Sequence, residues 1–312
     1  MAKSKSKALG RRQRLVINRG VRWAVQIAFF VAFPAVFSAA FNGVKYAFTQ
    51  IGAMQPVSLS AFVTTLLAVL AFTVVFGRFF CGYACAFGTL GDALFTVFTP
   101  VRKKLGIGKK KPLLPAGMQR ALQLLKYVVL IVICVLCFAG MWSSVSGYSP
   151  WTAFAGIVAG NVDGISVGAF VALGVVAVGM LFVERFFCQF LCPLGAVFSL
   201  LPVLPFSAFR RDATRCAKGC GLCKRSCPVS VSPDPDAFAA GECISCGRCA
   251  DGCPLENVTL LRVPKPAGQE ELVQNSSAKK PAREFLMSLR GTEILLVLAK
   301  AAALFALCRM FM

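Results

Sequence analysis

The chain has 312 residues, 57% hydrophobic and only 15% charged, and its 34 Lys and Arg outnumber 13 Asp and Glu for a net charge of +21. A soluble domain is nearer half apolar and a quarter charged, so this composition points to a membrane protein. There is no histidine at all, which excludes His-ligated haem and zinc sites built on imidazole. The Lys and Arg sit in stretches between apolar runs rather than over one face, as membrane orientation requires, and that argues against nucleic acid as a partner.

Residues 1–22 form a basic N-terminus with eight Lys or Arg and no acid. An apolar run over 23–41 follows, long enough to cross a bilayer. A cleaved signal peptide competes for this segment, but the run is long for an h-region, and Pro34 with several Phe suits a retained helix. After a short loop containing Lys45, a second span is expected over 57–76. Residues 90–98 read as a short apolar piece along the membrane surface, closing a first membrane unit at 23–100. The 101–119 loop is strongly basic. A second unit, 120–205, holds a third span over 122–142 and a fourth over 165–183. The loop between them carries Tyr148, Trp151 and Asp163 without Lys or Arg. Placing the basic segments inside puts the N-terminus, the 101–119 loop and the domain after the fourth span on the cytoplasmic side of a bacterial inner membrane. The loops near 42–56 and 143–164 then lie outside. A polar stretch, 263–291, reads as a linker. The apolar 292–312 tail is read as a fifth span, with an interfacial or partner-bound helix as the alternative, because a central Lys300 costs about 2.5–3.5 kcal/mol on insertion scales.

Each unit ends its second span with one signature, Arg-Phe-Phe-Cys-x3-Cys-x2-Gly, at Arg78 to Gly88 and again at Arg185 to Gly195. Two units entering from the same side are parallel repeats. Cys81, Cys85, Cys188 and Cys192 should therefore emerge at one depth, at the cytoplasmic end of the spans. Three readings of this quartet stand open: a third metal centre, redox-active dithiols cycling with quinol, or small packing residues. Glu184, at a span end beside Cys188, is a candidate for proton exchange with a quinol, or for a salt bridge to Arg185 or Arg78. The Phe pairs 79–80 and 186–187 read as membrane anchors and packing around the cysteines. Cys134, Cys137 and Cys308 read as small apolar residues inside helices.

The 206–262 segment holds Cys216, Cys220, Cys223, Cys227-Pro228 and then Cys243, Cys246, Cys249, Cys253-Pro254. The second set matches the C-x2-C-x2-C-x3-C-P run of bacterial ferredoxins, and the first matches it with one extra residue after Cys216. Zinc sites more often come as two separated cysteine pairs, and a disulfide framework needs an oxidising compartment. The resemblance to bacterial ferredoxins implies two [4Fe–4S] clusters, with the fourth cysteine of each run crossing to the other cluster. Carried over, Cys216, Cys220, Cys223 and Cys253 would hold one cluster, and Cys243, Cys246, Cys249 and Cys227 the second.

The duplicated C-x3-C signature combined with a two-cluster ferredoxin segment resembles the NapH/NosR/CcoG group of polyferredoxin membrane proteins, over about residues 20–262. That resemblance implies a polytopic α-helical membrane protein carrying a cytoplasmic α+β ferredoxin-like domain. It also implies an electron-transfer subunit that takes electrons from the quinol pool towards a partner reductase, flavoprotein or cytochrome in the periplasm or membrane. With neither a large FMN-binding domain before the first span nor a folded domain after the ferredoxin, the chain is most similar to the quinol-dehydrogenase-type branch. Ala86 stands where the family has proline after Cys85, and Glu184 where it has glycine before Arg185. The alternative is an assembly or regulatory factor such as a metal-reducing maturation protein, though no Met- or His-rich tract serves copper. A membrane anchor that only docks a redox partner is the third option.

Overall fold

The computed structural model describes residues 11–106, 116–202, 204, 209–211, 216, 220–231, 233, 241–254, 258–259 and 279–311. The start of the basic N-terminus, the centre of the 101–119 loop, the end of the ferredoxin segment at 260–262 and the 263–278 part of the linker lie outside them.

The first apolar run does not form one helix over 23–41. Helix α1 (Arg11–Ala32) stops at Phe33-Pro34-Ala35, and α2 (Val36–Gly52) begins afresh. Pro34 has no N–H to donate, and its ring collides with the preceding turn. The expected loop after residue 41 is likewise helical as far as Gly52, where a side chain would run into the backbone of Phe138.

Helix α3 (Ala61–Phe76) ends at Gly77, whose φ of 72° and ψ of −172° suit only glycine. A π-helical turn, Phe80–Ala84, leads into α4 (Ala86–Lys104). The 90–98 segment is thus the middle of a longer helix, and the first turns of α4 are buried against the rest of the bundle. Helices α5 (Ala116–Phe138), α6 (Trp142–Ser146) and α7 (Pro150–Ala159) carry the chain to α8 (Val167–Phe182). Two short helices follow, α9 (Phe186–Phe190) and α10 (Pro193–Leu200).

Among the described residues, three helices are long and apolar enough to cross a membrane, at Leu15–Ala32, Gly117–Phe138 and Ile294–Phe311. The second and fourth expected spans are present as α3 and α8, each of 16 residues. At 1.5 Å per residue each covers about 24 Å, short of a hydrocarbon core of about 30 Å. Outward-facing Val128, Ile131, Val132 and Val135 on α5 form the kind of apolar row that lipid covers.

The cysteine-rich segment adds a two-residue antiparallel ladder, β1 (Arg210–Arg211) with β2 (Val258–Thr259), around α11 (Leu222–Ser226) and α12 (Arg248–Gly252). The last helix, α13 (Lys279–Phe311), takes in the end of the expected linker. Its Phe305 ring meets Phe33 at 4.9 Å and Phe29 at 5.8 Å, edge to face. Lys300 is buried on α13 with its ammonium 5.6 Å from the Phe76 ring centroid, a cation–π contact that offsets part of its desolvation.

Aromatic residues of the two signatures bind the halves together. Phe87 stacks on Phe187 at 4.7 Å and meets Phe154 at a tilt at 4.4 Å, and Phe80 meets Phe198 at 6.0 Å. Phe79, Phe80 and Phe187 are each only 1% exposed, so these phenyls are packing residues and not membrane anchors.

Candidate metal centre

Both signatures reach their cysteines by the same local path. An apolar helix ends, a residue with positive φ turns the chain, a short helix carries the first cysteine, and the second cysteine caps the next helix. In the first signature Gly77 takes the positive φ. In the second, where Glu184 replaces glycine, the left-handed turn moves to Arg185 at φ 54°, ψ 36°; a non-glycine residue there costs about 1–2 kcal/mol.

The capping sulfurs are hydrogen-bonded by the helix they start. Gly195 N–H donates to Cys192 Sγ at 3.2 Å, and Gly88 N–H donates to the Cys85 sulfur. This accounts for the glycine in each signature: a Cβ on Gly88 would sit 3.1 Å from Arg185 Nη1, and one on Gly195 would sit 3.1 Å from Arg78 Nη2. Each arginine therefore lies against the other signature. All four cysteines are buried, none is in a disulfide, and every pair among them interacts electrostatically.

Two buried ion clusters hold those arginines. Arg185, 1% exposed, donates from Nε to Asp92 Oδ1 at 2.8 Å and from Nη2 to Asp92 Oδ2 at 2.6 Å. It also donates to the Cys81 and Gly82 carbonyls, while Gln26 donates to Asp92 at 2.8 Å. Arg78 pairs with Glu242 at 3.2 Å and donates to the Gly241 carbonyl at 3.0 Å. Lys126 pairs with the same carboxylate, and Tyr127 donates to it at 3.3 Å. Burial acts to raise the Glu242 carboxyl, but the Arg78 and Lys126 charges prevail and hold it below the usual carboxylate range.

In the ferredoxin segment, α11 and α12 pack so closely that a Cβ on Gly252 would stand 2.5 Å from Ser226 Oγ. Cys227, Cys243, Cys246 and Cys249 all interact pairwise. Backbone N–H groups point at their sulfurs, from Val229 and Val231 to Cys227, from Phe209 and Ser245 to Cys243, and from Ala250 to Cys249. Burial, then the neighbouring Cys246, pushes the Cys227 thiol up to about 12 against those donors. Burial likewise raises Cys243 and Cys249. Such thiols ionise when a metal supplies compensating charge, and binding then releases protons.

In the other ferredoxin set, Cys223 and Cys253 share a small core with Phe209, Cys249 and Val258. Cys216 and Cys220 are half-buried, and the stretches 212–215 and 217–219 beside them lie outside the described residues. Among the described residues, no group of three or more Cys, Asp or Glu closes on the space of a single metal ion. That holds for the Cys227–Cys249 set too; what suits this set to a cubane is its donor chemistry, four thiols in one loop region with backbone N–H groups directed at their sulfurs.

The inner ferredoxin loop sits directly on the first signature. A Cβ on Gly82 would collide with the Ile244 carbonyl oxygen, and Tyr83 donates its hydroxyl to the Cys246 carbonyl at 3.4 Å. From the second signature, Gln189 donates to the Pro228 carbonyl at 2.8 Å. Glu184 is paired with Arg248, between Cys246 and Cys249, rather than with Arg185 or Arg78 as the sequence suggested. Asp92, Lys126, Glu242 and Gln26 were not singled out in the sequence. A lone acid or lysine in an apolar run is the signal that points to the first two.

Helices apolar enough for a membrane, joined to cysteine sets suited to cubanes, define a membrane-bound ferredoxin-type electron-transport protein. The 4Fe-4S binding domain family matches residues 59–108 and 166–206, the two stretches that carry the C-x3-C signatures. An uncharacterized Methanocaldococcus jannaschii protein, MJ0749, is 30% identical over 62% of this chain and 68% of its own length. Protein NirI of Paracoccus denitrificans is 27% identical over 76% of this chain and 35% of its own length. The ferredoxin-type protein NapH of Haemophilus influenzae is 28% identical over 59% of this chain and 62% of its own length. No solved structure matches the chain. The chain belongs to the NapH/NosR-like polyferredoxin membrane proteins.

Proposed function

We propose that the protein passes electrons between the quinone pool and a partner reductase, through two [4Fe–4S] clusters on the cytoplasmic face of a bacterial inner membrane. When bound, each cluster takes up and releases one electron at a time. The observation that carries the reading is the seating of the Cys227–Cys249 set on the Cys81–Cys85 loop, through Gly82 against Ile244 and Tyr83 against Cys246. This makes Cys227, Cys243, Cys246 and Cys249 the ligands nearest the helices. The other set, which includes half-buried Cys216 and Cys220, would serve a soluble redox partner in this reading.

The chain's own residues position and insulate these sites. Arg22 donates to the Cys246 carbonyl and pairs with Asp251 at 3.7 Å, while Asn18 donates to Asp251 at 2.6 Å, so α1 clamps the inner loop. A cavity of about 730 Å³ between α1, α4 and the ferredoxin segment is lined by Trp23, Phe95, Asp92, Glu184 and Arg248. Pockets for organic ligands run about 300–1,000 Å³. Ser226, Arg248 and Gly252 line it as well, each next in sequence to a cluster ligand. A quinol bound there would have to release two electrons and two protons, and Glu184 is the carboxylate in the lining that we assign to taking up a proton.

Span number, the parallel arrangement of the two units and the inward-facing ferredoxin domain belong to the same reading. The shared local path of the two signatures and the basic segments at 1–22 and 101–119 support it. The test is stopped-flow reduction of the anaerobic protein in nanodiscs by a quinol analogue. Cluster bleaching by quinol, slowed by Glu184→Gln, is expected; clusters that dithionite bleaches and quinol never does would refute the quinone reading.

A further inference from the structure

The cavity of about 730 Å³ between α1, α4 and the ferredoxin segment is charged unevenly. Inside, each acid has a partner. Glu184 pairs with Arg248, Asp251 with Arg22, and Asp92 with Arg185 while it accepts from Gln26. Towards the mouth stand Arg19 on α1, Lys103 on α4 and Arg225 on α11, all three exposed. Lys103 lies about three turns beyond Asp92, roughly 16 Å along α4, and Arg19 about two turns before Gln26 on α1. None of the three makes an ion pair among the described residues, and the carboxylates that line the cavity are already taken. On the same wall, Arg22 Nε is a buried donor without a hydrogen-bond partner.

Apolar surface lies beside these cations. Val97, Val101 and Leu105 form an exposed stripe on α4, next to the Thr96, Pro100 and Lys103 row that lines the cavity. Trp23 stands on the opposite wall, near the start of the Leu15–Ala32 span, where an indole marks the headgroup level of a bilayer. A small soluble anion would match the three cations and leave the stripe in water. An uncharged lipid would cover the stripe and leave the cations unmatched. A phospholipid with a net negative headgroup matches both, and basic pockets between membrane helices on the cytoplasmic side bind such headgroups.

We infer that the mouth of this cavity is a binding site for the phosphate of an anionic phospholipid, held by Arg19, Lys103 and Arg225. Its acyl chains cover Val97, Val101 and Leu105, and its headgroup closes the lipid side of the cavity. The inner end, with Glu184 and Arg248, stays free for the quinol. The inference rests on the proposed function only in setting the basic segments at the inner face of a membrane; it needs neither quinol nor electron transfer.

The test uses the full-length protein, purified anaerobically, in phosphatidylcholine nanodiscs doped with phosphatidylglycerol, and native mass spectrometry of the lipid that stays bound. Wild type should retain phosphatidylglycerol over phosphatidylcholine. Arg19→Gln/Lys103→Gln/Arg225→Gln should bind it about a hundredfold more weakly, as the loss of three cations at a headgroup implies. Lys104→Gln/Arg120→Gln/Lys224→Gln removes the same charge from exposed positions outside the lining and should keep the lipid. All six side chains are exposed, and unchanged visible absorbance certifies that each variant is folded. Equal loss in the two variants, or no loss in either, overturns the site. Displacement of phosphatidylglycerol by inorganic phosphate assigns the cations to a soluble anion and overturns the lipid. Retained lipid with no reduction by quinol counts against the quinone reading alone, and lost lipid selectivity with normal reduction counts against this site alone.

Discussion

Removing Asp92 strands Arg185. The guanidinium is 1% exposed and makes two charged hydrogen bonds to this carboxylate, at 2.6 and 2.8 Å. Asp92→Ala leaves it with only the Cys81 and Gly82 carbonyls. Breaking one side of a buried pair costs about 3–5 kcal/mol, because an uncompensated charge stays buried. Arg185→Met strands Asp92 with only Gln26 beside it and should cost a similar amount. The double variant removes both charges, so it should cost less than the sum of the singles by about 2 kcal/mol or more. Reversible unfolding in mixed micelles, followed by fluorescence of the three tryptophans, measures all four corners of this cycle. A loss below about 1 kcal/mol for Asp92→Ala, or single effects that add within about 0.5 kcal/mol, would show that the pair is not desolvated and refute the reasoning.

Gly82→Ala should push the ferredoxin loop off the helices, because its Cβ meets the Ile244 carbonyl; overpacking of this kind costs about 1–3 kcal/mol. Faster amide exchange at 241–254 is the readout, and Gly174→Ala, with nothing within 4 Å of its Cβ, is the control. Glu242→Gln should leave Arg78 and Lys126 facing each other without a counter-charge, lowering the unfolding midpoint by a few degrees, as a loss of about 2–3 kcal/mol would. Lys300→Met should raise membrane insertion of a 292–312 reporter by about 2.5–3.5 kcal/mol on insertion scales. An unchanged insertion would place that helix outside the bilayer.

The spacing that singles out the eight ferredoxin cysteines and the quartet is a local property, which is why a sequence can display it. In the structure β1 pairs with β2 in the segment that holds α11 and α12. Helix boundaries were less legible. A hydropathy window runs straight through Pro34, and Asn42, Lys45, Thr49 and Gln50 give the end of α2 the polarity of a loop. The partner of Glu184 was out of reach, since Arg248 is 64 residues away in the chain. Asp92 with Arg185, and Glu242 with Arg78 and Lys126, are long-range ion pairs of the same kind. Each is set by where the two signatures and the ferredoxin loop meet, and no periodicity within one segment encodes that meeting.

The central claim is that these cysteines carry iron–sulfur clusters wired to membrane helices. Its most direct test is the visible spectrum of the anaerobically purified, membrane-reconstituted protein before and after dithionite. The account predicts a brown protein whose broad absorbance near 400 nm bleaches on reduction, as cubanes do. A colourless protein holding zinc or no metal would contradict it.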